Sequence, residues 1–186
     1  MRLTPIEHPK GLMMRLIYYF TRRKFGKVIT PLKVVTARVP KSARMSYEIA
    51  KMMERGFTLD KALQSLLHIH VSKLNQCGFC IDIGTAFAIQ EGASREKIQD
   101  IPNYRSSSRF TGAERAALAY VEEVTTTGTS TDKTFNDLRA HFSDVHVAEI
   151  TMLNAIENYF NLTNRPLGIE SDGLCQLVPQ SFAKAS

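Results

Sequence analysis

The sequence predicts an all-α fold, and three observations carry that prediction. From residue 42 onward, apolar residues recur three and four positions apart, the period of a helix with one buried face. Helix-start signals punctuate this pattern, most clearly Thr111 with Glu114 and, later, Ser143. The one β-prone stretch, Val34–Val39 between Pro31 and Pro40, has no second strand nearby to pair with, so it reads as an extended linker or an isolated strand. A chain of 186 residues with 44% hydrophobic content suits one compact domain with an arm attached.

In chain order, residues 12–25 form a helix that sets Leu12, Leu16, Tyr19 and Arg23 along one side, with Met13, Ile17 and Phe20 beside them. Packing on its own domain or a sister subunit is the first expectation for that apolar face; an anionic membrane or nucleic acid is the other. Ser42 caps a helix carrying Met45, Ile49, Met52 and Met53, which Gly56 ends. Thr58 opens the next, with Leu59, Leu63, Leu66, Leu67, Val71 and Leu74 on one face. Asn75 is placed to cap a third, running to about Gln90 with Gly92 as its stop. A short turn of helix follows Ser94, and a polar loop spans 103–109. Thr111 then starts a helix to about Val124, a Thr-rich loop follows, and a further helix spans roughly 132–141. The last long helix runs from Ser143 to about Asn164, where Pro166 and Gly168 stop it. This divides the chain into a basic arm (1–41), a helical domain (42–170) and a tail (171–186) whose last residues are expected to fray.

Charge is unevenly distributed. Residues 1–47 hold eleven Lys or Arg against a single acid, Glu7, whereas the rest of the chain carries a net −4. The basic character therefore belongs to the arm. Three cysteines argue against a disulfide-stapled secreted scaffold. With no transmembrane run, no secretory signal and no recognisable nucleic-acid motif, the expectation is a cytoplasmic protein that binds no nucleic acid.

The chemical centre is Cys77-Gly78-Phe79-Cys80. Residues three apart on a helix share a face, so the two sulfurs can form a small redox disulfide, and a helix start favours thiolate there. Helix electrostatics alone favours Cys77, which lies nearer the positive end. Zinc would need further ligands, and Cys175 is isolated while His68 and His70 lie on the preceding helix. No cofactor is therefore expected.

The stretch Leu66–Ile83, with its Ser-x-x-Asn-x-Cys-x-x-Cys core, resembles the carboxymuconolactone decarboxylase and AhpD-like alkylhydroperoxidase family. The segments 110–120 and 158–168 look like the family's later helices. The resemblance implies an all-helical homo-oligomer that reduces organic hydroperoxides and is recycled by a thiol or dihydrolipoyl protein partner. It implies that Cys80 attacks the peroxide and Cys77 resolves the sulfenic acid. It also implies a relay Glu twelve residues before the first Cys and a relay His four after the second. Those positions are Ser65 and Gly84 here, so neither group is where the family has it. Substitute bases are His68 first, then His70; Asp82, two residues beyond Cys80, should turn away. The rival readings are a non-catalytic helical oligomer, with the arm used for assembly and a vestigial Cys pair, and a reductase of protein disulfides.

Overall fold

The computed structural model describes residues 1–177, and among them every regular element is helical. They are α1 (Leu12–Phe25), α2 (Ser42–Arg55), α3 (Lys61–Leu74), α4 (Gly78–Gln90), α5 (Arg95–Gln99), α6 (Gly112–Thr127), α7 (Asp132–Arg139), α8 (Asp144–Asn164) and α9 (Leu174–Leu177). The terminal residues expected to fray, 178–186, lie outside the described residues.

α3 is the central element, packed by α4, α6 and α8. Its Leu66, Leu67, Ile69 and Val71 are fully buried and meet Leu118 and Val121 of α6 and Ile150 and Leu153 of α8. Burying such side chains is worth roughly 1.5–3 kcal/mol each, so this cluster dominates the stability. Thr111 and Glu114 form the expected reciprocal capping box of α6. Ser143 caps α8 by accepting from the His146 N–H.

Four local expectations are corrected. Ser42 does not cap α2: it is the first residue of the helix, and its hydroxyl donates to the Val39 carbonyl at 2.7 Å. Val34–Val39 is not extended: Leu32–Thr36 forms a π-helical turn, closed by the Ala37 N–H donating to the Leu32 carbonyl at 2.9 Å. With no strand to pair, the β-branched residues gain more from packing, and Val34 is completely buried. Thr58 does not open α3. Asp60 caps it, accepting from the Leu63 N–H, while the Thr58 and Leu59 N–H groups donate to the Glu149 carboxylate of α8. Asn75 ends α3 rather than starting α4; the turn passes through Gln76 at φ 53°, and Cys77 itself takes the N-cap position of α4.

The arm lies on the domain. Met14 and Tyr18 of α1 are buried with Val28, and the Tyr18 hydroxyl donates to the Ile6 carbonyl at 2.7 Å. This is the opposite side of α1 from the face expected to pack: Leu12, Met13, Leu16, Tyr19 and Phe20 are all exposed. Further along, Phe25, Ile29, Val34 and Val35 join Ile169, Leu174 and Cys175 in a second apolar cluster, and this one surrounds the Cys pair.

Candidate active site

The turn at 75–77 delivers both cysteines to the start of α4. Cys77 and Cys80 are joined as a disulfide with a Cα–Cα separation of 5.3 Å, inside the ordinary range. Neither is accessible: Cys77 is 0% and Cys80 2% exposed.

Two side chains that the sequence leaves far apart, His68 and Asn164, contact Cys80, and a third, Glu157, contacts His68. The His68 Nε2 of α3 lies 3.0 Å from the Cys80 carbonyl oxygen, to which an Nε2–H donates. Its Nδ1 lies 2.6 Å from Oε1 of Glu157, a carboxylate of α8 that is 1% exposed. The Asn164 side-chain N–H, at the end of α8, donates to the Cys80 sulfur at 3.5 Å. Burial works to lower the His68 pKa, but the Glu157 carboxylate, by charge and close contact, and the Cys80 carbonyl outweigh it and raise it. The Glu157 carboxylate and the Cys80 carbonyl, one facing each ring nitrogen, both favour the protonated ring.

The two positions where the family's relay residues are missing are not left empty. The His68 ring fills the space above Gly84, where an added Cβ would lie 2.3 Å from His68 Cδ2. An imidazole thus arrives at that position from the neighbouring helix. Ser65 donates a hydrogen bond to a carboxylate, that of Glu91 at the end of α4. Because the Gly84 backbone and the His68 ring share one space, Gly84→Ala is expected to cost about 1–3 kcal/mol and to displace the imidazole. Thermal denaturation and the His68 side-chain NMR resonances would check it.

His70 lies elsewhere. Its Nε2 is 3.1 Å from Glu122 of α6, which also accepts from the Tyr104 hydroxyl and Arg105, and its ring packs edge-on against Tyr104. Burial outweighs Glu122 there and lowers the His70 pKa. Asp82 turns away from the sulfurs, as expected, and accepts N–H groups from Asp172, Leu174 and Cys175. Burial opposes the Asp82 charge, but these bonds outweigh it and hold the carboxyl below its usual range. Asp172 in turn accepts from the Thr30 N–H and hydroxyl, so a tail segment and the arm are tied together over the disulfide. Cys175 is a free, partly buried thiol packed against the cluster that encloses the pair.

Glu157, Asn164 and Glu91 were not foreseen. For Glu157 and Asn164 the one sequence signal is the inner face of α8, where Ile150 and Leu153 are followed at helical spacing by Asn154, Glu157, Asn161 and Asn164, all buried. Polar residues continuing a core stripe are costly unless partnered, so they mark a site.

The carboxymuconolactone decarboxylase family profile matches residues 43–123. A protein of unknown function from Agrobacterium tumefaciens, suggested to be the antioxidant defence protein AhpD, is 26% identical and superposes with a TM-score of 0.69 over 74% of this chain and 96% of that one. Residues 43–123 thus match the carboxymuconolactone decarboxylase family, and the chain has the AhpD-like helical fold. The uncharacterized protein YnjA of Escherichia coli (strain K12) is 27% identical over 168 residues, 89% of this chain and 92% of that one. The debrominase Bmp8 has the same fold, with a TM-score of 0.80 over 95% of each chain at 17% identity. The AhpD-like fold and the CxxC-spaced pair are consistent with a redox enzyme. Among the described residues, no group of three or more His, Cys, Asp or Glu is arranged to hold a metal ion, and no helix is long and apolar enough to cross a membrane.

Proposed function

We propose that the protein is a thiol-dependent peroxidase acting on organic hydroperoxides, with Cys80 as the nucleophile, Cys77 as the resolving thiol, and His68 with Glu157 in place of the family's relay. The observation that carries this reading is the convergence of His68 and Asn164 on Cys80 rather than Cys77. The helix dipole favours Cys77, but it acts on both cysteines within the first turn of α4. A buried N–H donor on one sulfur, with an imidazole held at the same residue's backbone carbonyl, acts selectively.

In the reduced protein, the Cys80 thiolate attacks one oxygen of the hydroperoxide. An S–O bond forms, the O–O bond breaks, and the alkoxide leaves with a proton from His68 to become an alcohol. Cys77 then attacks the sulfenic acid sulfur, forming the S–S bond and releasing water. A dithiol reductant restores both thiols with two electrons, becoming a disulfide itself. Glu157 positions His68 and favours its cation. The walls around the pair, from Phe25, Val34, Phe79, Ile169 and Leu174, are apolar and suit an organic peroxide.

Asn164→Leu supplies the first test. Losing an N–H bond to a thiolate should raise the pH midpoint of Cys80 alkylation in reduced protein by about one unit. Iodoacetamide rates followed against pH, with Cys77 and Cys175 replaced by serine, read this directly. An unchanged midpoint would remove Asn164 from the mechanism.

A further inference from the structure

The outward face of α1 is not accounted for by the redox site or by the core. At about 100° per residue, Tyr19, Leu12, Leu16, Phe20 and Met13 form a continuous outward stripe, diametrically opposite Met14 and Tyr18, which anchor the helix. Leu12 is 74% exposed, Phe20 63% and Tyr19 57%, too much large apolar surface to be incidental. Its rim is entirely cationic. Arg15 and Arg22 flank the stripe on one side, Lys24 on the other, and Arg23 lies at its C-terminal end, all exposed. No acidic residue occurs in α1, and the arm's lone acid, Glu7, is already paired with Lys33 at 2.9 Å.

We infer that α1 is an in-plane docking helix for an anionic lipid bilayer. An apolar stripe bordered by arginines and lysines lets the stripe enter the acyl boundary while the long cationic side chains reach lipid phosphates. The charge separates this face from the exposed apolar row on α8. Val145, Met152 and Tyr159 along α8 are also exposed, but α8 contains no lysine or arginine and has no attraction to an anionic surface. Anchorage matters as well: with Met14 and Tyr18 buried, the helix is held with its stripe outward.

Docking would bear on the chemistry, a clause that rests on the peroxidase reading. α1 ends at Phe25, which packs in the cluster enclosing the Cys pair, with Lys24 over the Phe25 and Phe87 rings. A helix lying in the headgroup plane brings that enclosure to the bilayer, and the fitting substrate class is an acyl-chain hydroperoxide.

The test is co-sedimentation of the full chain with vesicles of phosphatidylcholine alone and with about 30% phosphatidylglycerol. The expected result is binding to the anionic vesicles only, weakened at about 0.5 M salt. Leu16→Glu with Phe20→Glu, and separately Arg22→Glu with Arg23→Glu, should each weaken it at least about tenfold. Consumption of soluble tert-butyl hydroperoxide should be unchanged in both variants, so docking and chemistry fail separately. Absence of binding to anionic vesicles would overturn the inference, as would binding indifferent to the Leu16 and Phe20 changes. If those changes instead convert an oligomer to monomers while vesicles bind nothing, the stripe is a contact between copies of this chain and the lipid assignment is wrong.

Discussion

Cys80→Ser is expected to lower peroxide consumption by about three orders of magnitude or more, the order of loss seen when an enzyme's nucleophile is removed. Cys77→Ser is expected to behave differently. It should still consume one equivalent of organic hydroperoxide quickly, because the attacking thiolate and its surroundings are intact. It should then stall at the sulfenic acid or await an external thiol. The contrast follows from geometry: the Asn164 N–H meets the Cys80 sulfur and the His68 imidazole its backbone carbonyl, whereas Cys77 has the helix start alone. Rapid-mix consumption of cumene hydroperoxide by both variants, with and without a dithiol, distinguishes these outcomes. Full activity in Cys80→Ser would refute the assignment.

The second large effect concerns His68 and Glu157. His68→Ala is expected to reduce turnover about a hundredfold or more, since it removes the proposed proton donor for the leaving alkoxide and the imidazole held at the Cys80 backbone. It should also destabilise the fold by about 3 kcal/mol, because Glu157 is left buried without its partner. Replacing the pair together, His68→Phe with Glu157→Leu, should recover much of the stability and none of the activity. That outcome separates chemistry from packing. The pH dependence has a definite sign. The folded-state pKa of His68 is raised above its unfolded value, about 6.5, so the imidazolium binds its proton more tightly in the native state. Its contribution to stability is therefore fully present below about pH 6.5 and is lost as pH rises through the higher folded value. The gap in melting temperature between wild type and His68→Gln should be widest near pH 6 and narrow on the alkaline side.

The capping and periodic signals made much of the helical architecture legible. Thr111 with Glu114, Ser94 and Ser143 are local devices whose hydrogen bonds close within three residues, so they can be read without knowing the fold. The misread segments were settled by distant partners. Thr58 resembles a cap until Glu149, ninety-one positions away, takes its N–H. Val34–Val39 looks extended until Val34 is buried and Val35 packed around a disulfide, and α1 looks buried on the side it in fact exposes. The Cys pair and its helical turn were legible from spacing, and His68 could be nominated, because its position on α3 relative to Ser65 was known. Glu157, Asn164 and Glu91 could not be. They reach the site across helix–helix contacts, and only the register of α8 against α3 and α4 decides that Glu157 meets His68 while Asn164 meets the sulfur. The His68 ring fills the space above Gly84 from the neighbouring helix, a placement that motif spacing does not register.

The most direct test of the central claim is where oxygen lands first. Reduced protein carrying Cys77→Ser would be mixed with one equivalent of cumene hydroperoxide, trapped with dimedone and analysed by peptide mass spectrometry. The adduct is expected on Cys80, forming within the mixing time and suppressed when His68 is also replaced by Ala. An adduct confined to Cys175, or no adduct on Cys80 while the peroxide disappears, would contradict it.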